Sequence, residues 1–149
     1  MKTIGIDYGT KRLGIAVSDP GGIIAMPFRV LDVRSDADAV KQVCDLCVEE
    51  SAELIIVGLP LNMDGTSGEM VENVEKFVKI LSGRTEIPIK TEDERLSTSM
   101  VERVLLDADM SRNKRKGVRD KLAAQVILQS YLDKESSVDP FDFDPGAME

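Results

Sequence analysis

The sequence predicts an α/β fold: a mixed five-stranded sheet, built from a three-strand antiparallel meander plus parallel strands and flanked by helices. Three observations lead there. Three short apolar runs separated by tight turns fill the first thirty residues. The apolar spacing then changes to that of amphipathic helices, and two further apolar strands alternate with those helices.

Residues 2–8 are isoleucine-rich and end at the turn Gly9-Thr10-Lys11-Arg12. Residues 13–18 (Leu-Gly-Ile-Ala-Val-Ser) form a second run, closed by the strong turn Asp19-Pro20-Gly21-Gly22. Residues 23–31 read as a third strand, with Pro27 indicating a sheet edge, where a missing N–H is tolerated. Val40, Val43, Cys44 and Cys47 then follow i, i+3, i+4, i+7, predicting a helix over about 36–51 with both cysteines on its buried stripe. Leu54-Ile55-Ile56-Val57 is continuously apolar, as in a strand covered on both faces. After a Gly/Pro/Asn-rich loop over 58–68, Met70, Val74, Phe77, Val78 and Leu81 outline a second helix. Residues 88–91 give a fifth strand, and Ser99 with Glu102 makes a capping box for a helix through Val101, Val104, Leu105 and Ala108. A basic loop precedes a last helix from near Asp120 to Leu132. Three sequential strands followed by βα crossovers match the ribonuclease H-like order, whereas a doubly wound fold would not begin with a meander. The pattern predicts one domain over residues 1–135 and a disordered acidic tail over 136–149.

Composition narrows the chemistry. The chain has no histidine, which removes Ser-His and Cys-His nucleophile pairs, an imidazole base and His-containing zinc sites. Cys44 and Cys47 are the only cysteines, too few for a disulfide framework or an ordinary zinc site, and core packing is the favoured reading. No secretory signal of ordinary form opens the chain and no segment is apolar enough to span a bilayer, so a cytoplasmic protein without a membrane partner is expected. The net charge of -8 is unusual for a protein that binds phosphates. Its distribution is uneven, however. Arg112, Lys114, Arg115, Lys116, Arg119 and Lys121, opposed only by Asp120, give that window a net +5 and leave -13 on the remainder. A basic arm on an acidic body is compatible with phosphate binding, and equally with a solvated charge run.

Acidic residues fall at element ends. Asp7 closes the first strand, on the small side that it shares with Thr3 and Gly5. Asp93 and Glu94 follow the fifth strand. Asp120 opens the last helix on the face of Ala123, Ala124 and Ile127, where two alanines allow close approach to the sheet. A carboxylate on such a face is costly unless paired or metal-bound. Each acid alone also has a plainer reading: Asp7 as a turn starter, Asp120 as a helix N-cap. Hydroxyls and backbone N–H groups in the loop, notably at Asn62, Thr66 and Ser67, are suited to a phosphate at the following helix start. The loop lacks the Gly-Lys-Ser/Thr ending of a nucleotide triphosphate site. The turn Asp7-Tyr8-Gly9-Thr10 resembles the phosphate-binding turn of actin-like ATPases. Those enzymes enclose nucleotide between two domains, for which this chain has no room.

Four segments together resemble the YqgF family, also called RuvX: Gly5-Ile6-Asp7-Tyr8-Gly9-Thr10-Lys11-Arg12-Leu13-Gly14-Ile15-Ala16, Ile55 through Thr66, Asp93-Glu94-Arg95-Leu96-Ser97-Thr98, and Asp120 with Ala123 through Leu132. The likeness covers nearly the whole chain up to Leu132. It implies a ribonuclease H-like nuclease, acting in 5′-end maturation of the 16S ribosomal RNA precursor or, alternatively, as a DNA Holliday junction resolvase. It further implies that Asp7, Glu94 and Asp120 are the catalytic and metal-binding acids, with Asp93 in reserve. Thr10, Lys11, Arg12, Asn62, Thr66, Ser67 and Arg95 would hold the substrate backbone, together with Arg112, Lys114, Arg115 and Lys116 of the basic arm.

The expected reaction is hydrolysis assisted by two Mg²⁺ or Mn²⁺ ions about 3.5–4 Å apart, which needs no histidine. The expected partners are nucleic acid, RNA before structured DNA, and ribosomal precursor particles. Either a monomer or a homodimer fits the sequence. Two readings of other classes stand beside the enzyme: a non-catalytic RNA- or ribosome-associated factor, separated by metal-dependent cleavage, and a nucleotide-binding regulator, separated by ATP binding.

Overall fold

A computed structural model of the chain describes residues 2–60, 68–93 and 112–136, with backbone only at 112–119 and at 136. Strands β1 (Thr3–Tyr8), β2 (Arg12–Ser18) and β3 (Ala25–Asp32) form the meander. Helix α1 (Asp36–Glu50), strand β4 (Leu54–Leu59), helix α2 (Glu69–Ser82), strand β5 (Ile89–Asp93) and helix α3 (Arg112–Ser136) follow. The sheet order is β3-β2-β1-β4-β5. The meander pairs are antiparallel, while β1 with β4 and β4 with β5 are parallel. This is the mixed, ribonuclease H-like arrangement that the element order predicts.

The alternation of the strands sorts the core into two layers. Ile4, Ile6 and Tyr8 of β1, Leu13 and Ile15 of β2, and Ile55 and Val57 of β4 pack under α1 and α2 with Val43, Leu46, Val74, Phe77 and Leu81. On the other face Ala16, Ala25, Leu54 and Ile56 pack under α3 through Ala124, Ile127, Leu128, Tyr131 and Leu132. β4 is buried on both faces, as its unbroken apolar run predicts. β3 is an edge strand, as Pro27 indicates. Its register jumps from Ile15 opposite Arg29 to Ala16 opposite Pro27, so Phe28 bulges out.

Local chemistry fixes the ends. Ser35 caps α1 by accepting from Asp38 N, and Ser51 closes it with a left-handed φ of 53°. β3 starts at Ala25, later than the apolar run suggests. Asp19 Oδ1 accepts from Ile23 N at 2.7 Å and from Ile24 N at 2.8 Å, which holds both residues in the turn. Gln129 then anchors α3 to this strand, accepting from Ala25 N at 2.8 Å and donating to Ile23 O at 2.9 Å.

Several expectations need correction. The basic segment is helical from Arg112, so the loop expected there is absent and Asp120 lies well inside α3. Arg and Lys are good helix formers, and docking of the following turns on the sheet carries the helix past the single Gly117. The N-cap reading of Asp120 is thereby excluded. In α2, Val74, Phe77 and Leu81 are buried as expected, but Val71, three residues before Val74, is buried in place of Met70, which lies at the exposed flank of the stripe. Cys47 is buried, but Cys44 only half so. β5 runs to Asp93, two residues beyond the expected end, since β4 extends to Leu59 and supplies pairing partners for both. The expected helix through residues 99–108 lies outside the described residues.

Candidate active site

Small residues bring Asp7 and Asp120 together. Asp7 stands near the C-terminal end of β1, directly opposite Gly14 of β2. By strand alternation its side chain shares the α3 face with Thr3 and Gly5. That face is nearly bare at this point. A β-carbon on Gly14 would lie 2.0 Å from the carbonyl oxygen of Asp120, and one on Gly5 would lie 2.7 Å from Leu128 Cβ. The backbone of α3 therefore rests on the sheet where side chains are missing. Ala123 and Ala124, both buried, complete the close approach. The Leu13-Gly14 step in an apolar strand carried this signal, although which helix it admits was not legible.

Asp120 is partly buried, with its Oδ2 out of contact with solvent. Arg12, the first residue of β2, holds its guanidinium Nε 3.3 Å from that oxygen. The Asp120 side chain is 18% exposed and that of Arg12 30%, so the pair sits at the rim of the sheet edge, part-exposed. Thr10 and Lys11, in the turn beside it, are exposed and open to a ligand. The turn is tight: Val33 N donates to Lys11 O at 2.9 Å, and a β-carbon on Gly9 would lie 2.6 Å from the carbonyl oxygen of Arg12. On the opposite face Tyr8 hydroxyl donates to Asp36 Oδ1 at 2.7 Å, and its ring lies 5.0 Å from that of Phe77. Burial, then the Asp36 carboxylate, push the Tyr8 hydroxyl from 10.0 up to about 12.

β1, β4 and β5 are parallel, so the chain leaves all three at one edge of the sheet. Loops following the carboxyl ends of such strands are where open α/β sheets bind ligands. Glu94, Arg95, Asn62, Thr66 and Ser67 belong to those connections and lie outside the described residues. Asp93 pairs with Leu59 and shares its side of the sheet, away from Asp7. The backbone of Arg112, Lys114, Arg115 and Lys116 forms the first turns of α3, leading to Asp120.

Glu92 was not foreseen. It pairs with Gly58 on β4, faces α3 and is only 6% exposed. Its carboxylate accepts from Ser130 Oγ at 3.2 Å and from the ammonium of Lys134, tying β5 to the far part of α3. Lys90, two residues earlier, donates to the Tyr131 hydroxyl at 3.3 Å. The alternation of Lys90 and Glu92 in the sequence was the available signal. Among the described residues no group of three or more Cys, Asp or Glu side chains gathers to hold a metal. The side chains that β1 and α3 bring to this edge, Asp7 and Asp120, are carboxylates, hard oxygen ligands of the kind Mg²⁺ or Mn²⁺ takes, and Asp120 lies against the Arg12 guanidinium.

The model of the family RuvX, described as Holliday junction resolvase, matches residues 1–134. This chain belongs to the RuvX family. Relatives named "Putative pre-16S rRNA nuclease" are 45% identical over 137 residues in Endomicrobium trichonymphae, spanning 91% of this chain and 97% of the relative, and 44% identical over 133 residues in Clostridium novyi, spanning 89% and 98%. Among solved structures, T. thermophilus RuvC in complex with a Holliday junction superposes with a TM-score of 0.55 at 15% identity, covering 91% of this chain and 96% of that one. A fowlpox virus resolvase in complex with junction DNA gives 0.54 at 11% identity, covering 92% and 100%. At such identities the two structures bear on the fold alone. No helix of the described residues is long and apolar enough to cross a membrane.

Proposed function

We propose that this RuvX-family chain is a divalent-metal-dependent nuclease that hydrolyses phosphodiester bonds, with precursor 16S ribosomal RNA as its first-choice substrate. The observation that carries this reading is the seating of Asp120 against Gly14, directly beside Asp7, at the sheet edge from which β4 and β5 also release their chains. The names carried by relatives spanning almost the same length support the polymer and its ribosomal context.

Asp7 and Asp120 would hold Mg²⁺ or Mn²⁺ together with Glu94, which follows β5 directly. Bound there, the metal would supply Lewis-acid stabilisation of the reacting phosphate and lower the pKa of a water. The chain's own residues do the rest. The carboxylates present fixed negative charge on a rigid strand and a rigid helix, so orientation is paid for in folding. Thr10 and Lys11 offer a hydroxyl and an ammonium at the rim. The first turns of α3, which carry Arg112 to Lys116 and lead to Asp120, would supply sequence-independent phosphate contacts that offset the acidic body. With four Phe, two Tyr and no Trp, the chain has little means of stacking on unpaired bases, which favours recognition by shape and backbone.

The test is cleavage of end-labelled precursor ribosomal RNA and of a four-way DNA junction by the wild-type chain, with Mn²⁺ and with chelator. Metal-dependent cutting of the RNA and not of the junction is expected. Cutting confined to the junction would overturn the choice of polymer, and the absence of any cutting would overturn the enzyme.

A further inference from the structure

Arg12 is a peculiar phosphate ligand, because its charge is already engaged inside the protein. Its backbone is fixed by the Gly9 turn, while its guanidinium reaches inward to the buried Oδ2 of Asp120. Asp120 cannot retreat from it, since its own backbone is wedged against Gly14. A carboxylate held this way needs positive charge nearby, and Arg12 supplies it from 3.3 Å. Two cations cannot share one oxygen without mutual repulsion, and that oxygen is itself shielded from solvent, so screening there is weaker than in bulk water. The Arg12 side chain, however, has a second place to go: it is part-exposed at the rim beside Thr10 and Lys11.

We propose that Arg12 is an exchangeable counter-ion. It neutralises Asp120 in the metal-free protein, and leaves that carboxylate for a nucleic-acid phosphate when a divalent cation is bound. This rests on the reading of Asp7 and Asp120 as metal-binding acids. Arg12 therefore opposes metal capture by the free protein and favours it once a phosphate is available to receive the guanidinium. The coupling is reciprocal by linkage, so that metal and nucleic acid each tighten the other. It guards against metal uptake without substrate and keeps a buried charge compensated throughout. Arg12 is a positioning and exchange residue in this scheme, distinct from the acids that touch the metal.

The experiment is Mn²⁺ binding to the full chain without nucleic acid, read by the spin resonance of free Mn²⁺, for wild type, Arg12→Gln, Arg12→Lys and Asp7→Asn. The melting temperature of each metal-free protein is measured alongside. Arg12→Gln is expected to bind Mn²⁺ at least about fivefold more tightly than wild type, at the low end of ordinary coupling factors, while melting lower when metal-free. Arg12→Lys, which keeps the charge, is expected to stay within about twofold of wild type on the same scale. An Arg12→Gln chain that binds Mn²⁺ as weakly as wild type, or more weakly, overturns the exchange. Asp7→Asn reports separately on the underlying site: undiminished Mn²⁺ binding by that variant overturns the metal-site reading whatever Arg12→Gln does. Wild type and Arg12→Gln that both ignore Mn²⁺ would sink both.

Discussion

Replacing Gly14 with alanine should damage stability and activity through one contact. The new β-carbon would stand 2.0 Å from the Asp120 carbonyl oxygen, 2.5 Å from its carbonyl carbon and 3.2 Å from its Cα. Contacts below 3.0 Å are essentially absent from real proteins, and ordinary contact begins near 3.4 Å. The backbone of α3 at Asp120, or β2 beneath it, must therefore yield by about 1 to 1.4 Å, the gap between those limits and 2.0 Å. Neither can yield locally. Gly14 is paired on both sides, with Asp7 and with Val30, and the buried Ala124, Ile127 and Leu128 hold the helix on the sheet. Overpacking of this kind costs about 1–3 kcal/mol, and the value here should lie at the upper end because backbone meets backbone. For a chain of this size each kcal/mol moves the melting temperature by about 2–4 °C, so a drop of roughly 6–12 °C is expected. Any nuclease activity should fall by about a hundredfold, the usual cost of displacing a reacting group by 1 Å. Calorimetry and a single-turnover cleavage assay read the two effects. A Gly14→Ala protein with wild-type melting and wild-type rate would mean that α3 does not rest on β2 at Asp120, and the geometry of the site would be wrong.

Replacing Arg112, Lys114, Arg115 and Lys116 with glutamine should weaken nucleic-acid binding and cut the slope of log affinity against log salt by about 3, at 0.7–0.9 per lost phosphate contact. An unchanged slope would remove the N-terminal turns of α3 from the interface. Lys134→Ala should cost about 1–2 kcal/mol in urea unfolding, because among the described residues the buried Glu92 carboxylate then keeps only Ser130, whereas Glu92→Gln with Lys134→Ala together should cost less than Lys134→Ala alone. The fold raises the Tyr8 hydroxyl from 10.0 to about 12, so the neutral form is favoured in the native state. Its contribution is intact below pH 10 and lost as pH rises from there through about 12, up to about 3 kcal/mol in all. In a Tyr131→Phe background, tyrosinate absorbance and unfolding midpoints should report that late titration, and a Tyr8 that ionised near pH 10 would contradict the Asp36 clasp.

The sheet was legible because its signals are local. Turn chemistry at residues 9–12 and 19–22, the period change after Ser35 and the unbroken apolar run of β4 each depend on neighbours a few residues away. What failed depended on distant partners. Nothing near Arg112 indicates that the helix begins there, because its stability comes from the docking of Ala124, Ile127 and Leu128 on the sheet. At the start of α2 both Met70 and Val71 lie within reach of the apolar stripe, and only packing on the sheet decides that Val71 is the buried one. The ends of β5 followed the length of β4. In the site, Asp7 and Asp120 stood out as acids on small or apolar faces, which is a local signal. The Arg12 pairing with Asp120 crosses 108 positions of sequence, and the Glu92 clasp with Ser130 and Lys134 spans 38 and 42. No periodicity encodes either. The family resemblance supplied Glu94, Arg95 and the roles of the loop residues, for which spacing offered no derivation.

The most direct measurement of the central claim is single-turnover cleavage of end-labelled precursor ribosomal RNA at saturating Mn²⁺, comparing wild type with Asp7→Asn after both are shown to melt cooperatively at similar temperatures. The change removes one negative charge from the metal site and no volume from the core, so Asp7→Asn should fold normally and cut at least a thousandfold more slowly, a loss of about 4 kcal/mol of transition-state stabilisation. A folded Asp7→Asn protein that cuts within a few fold of wild type would contradict the assignment of the site.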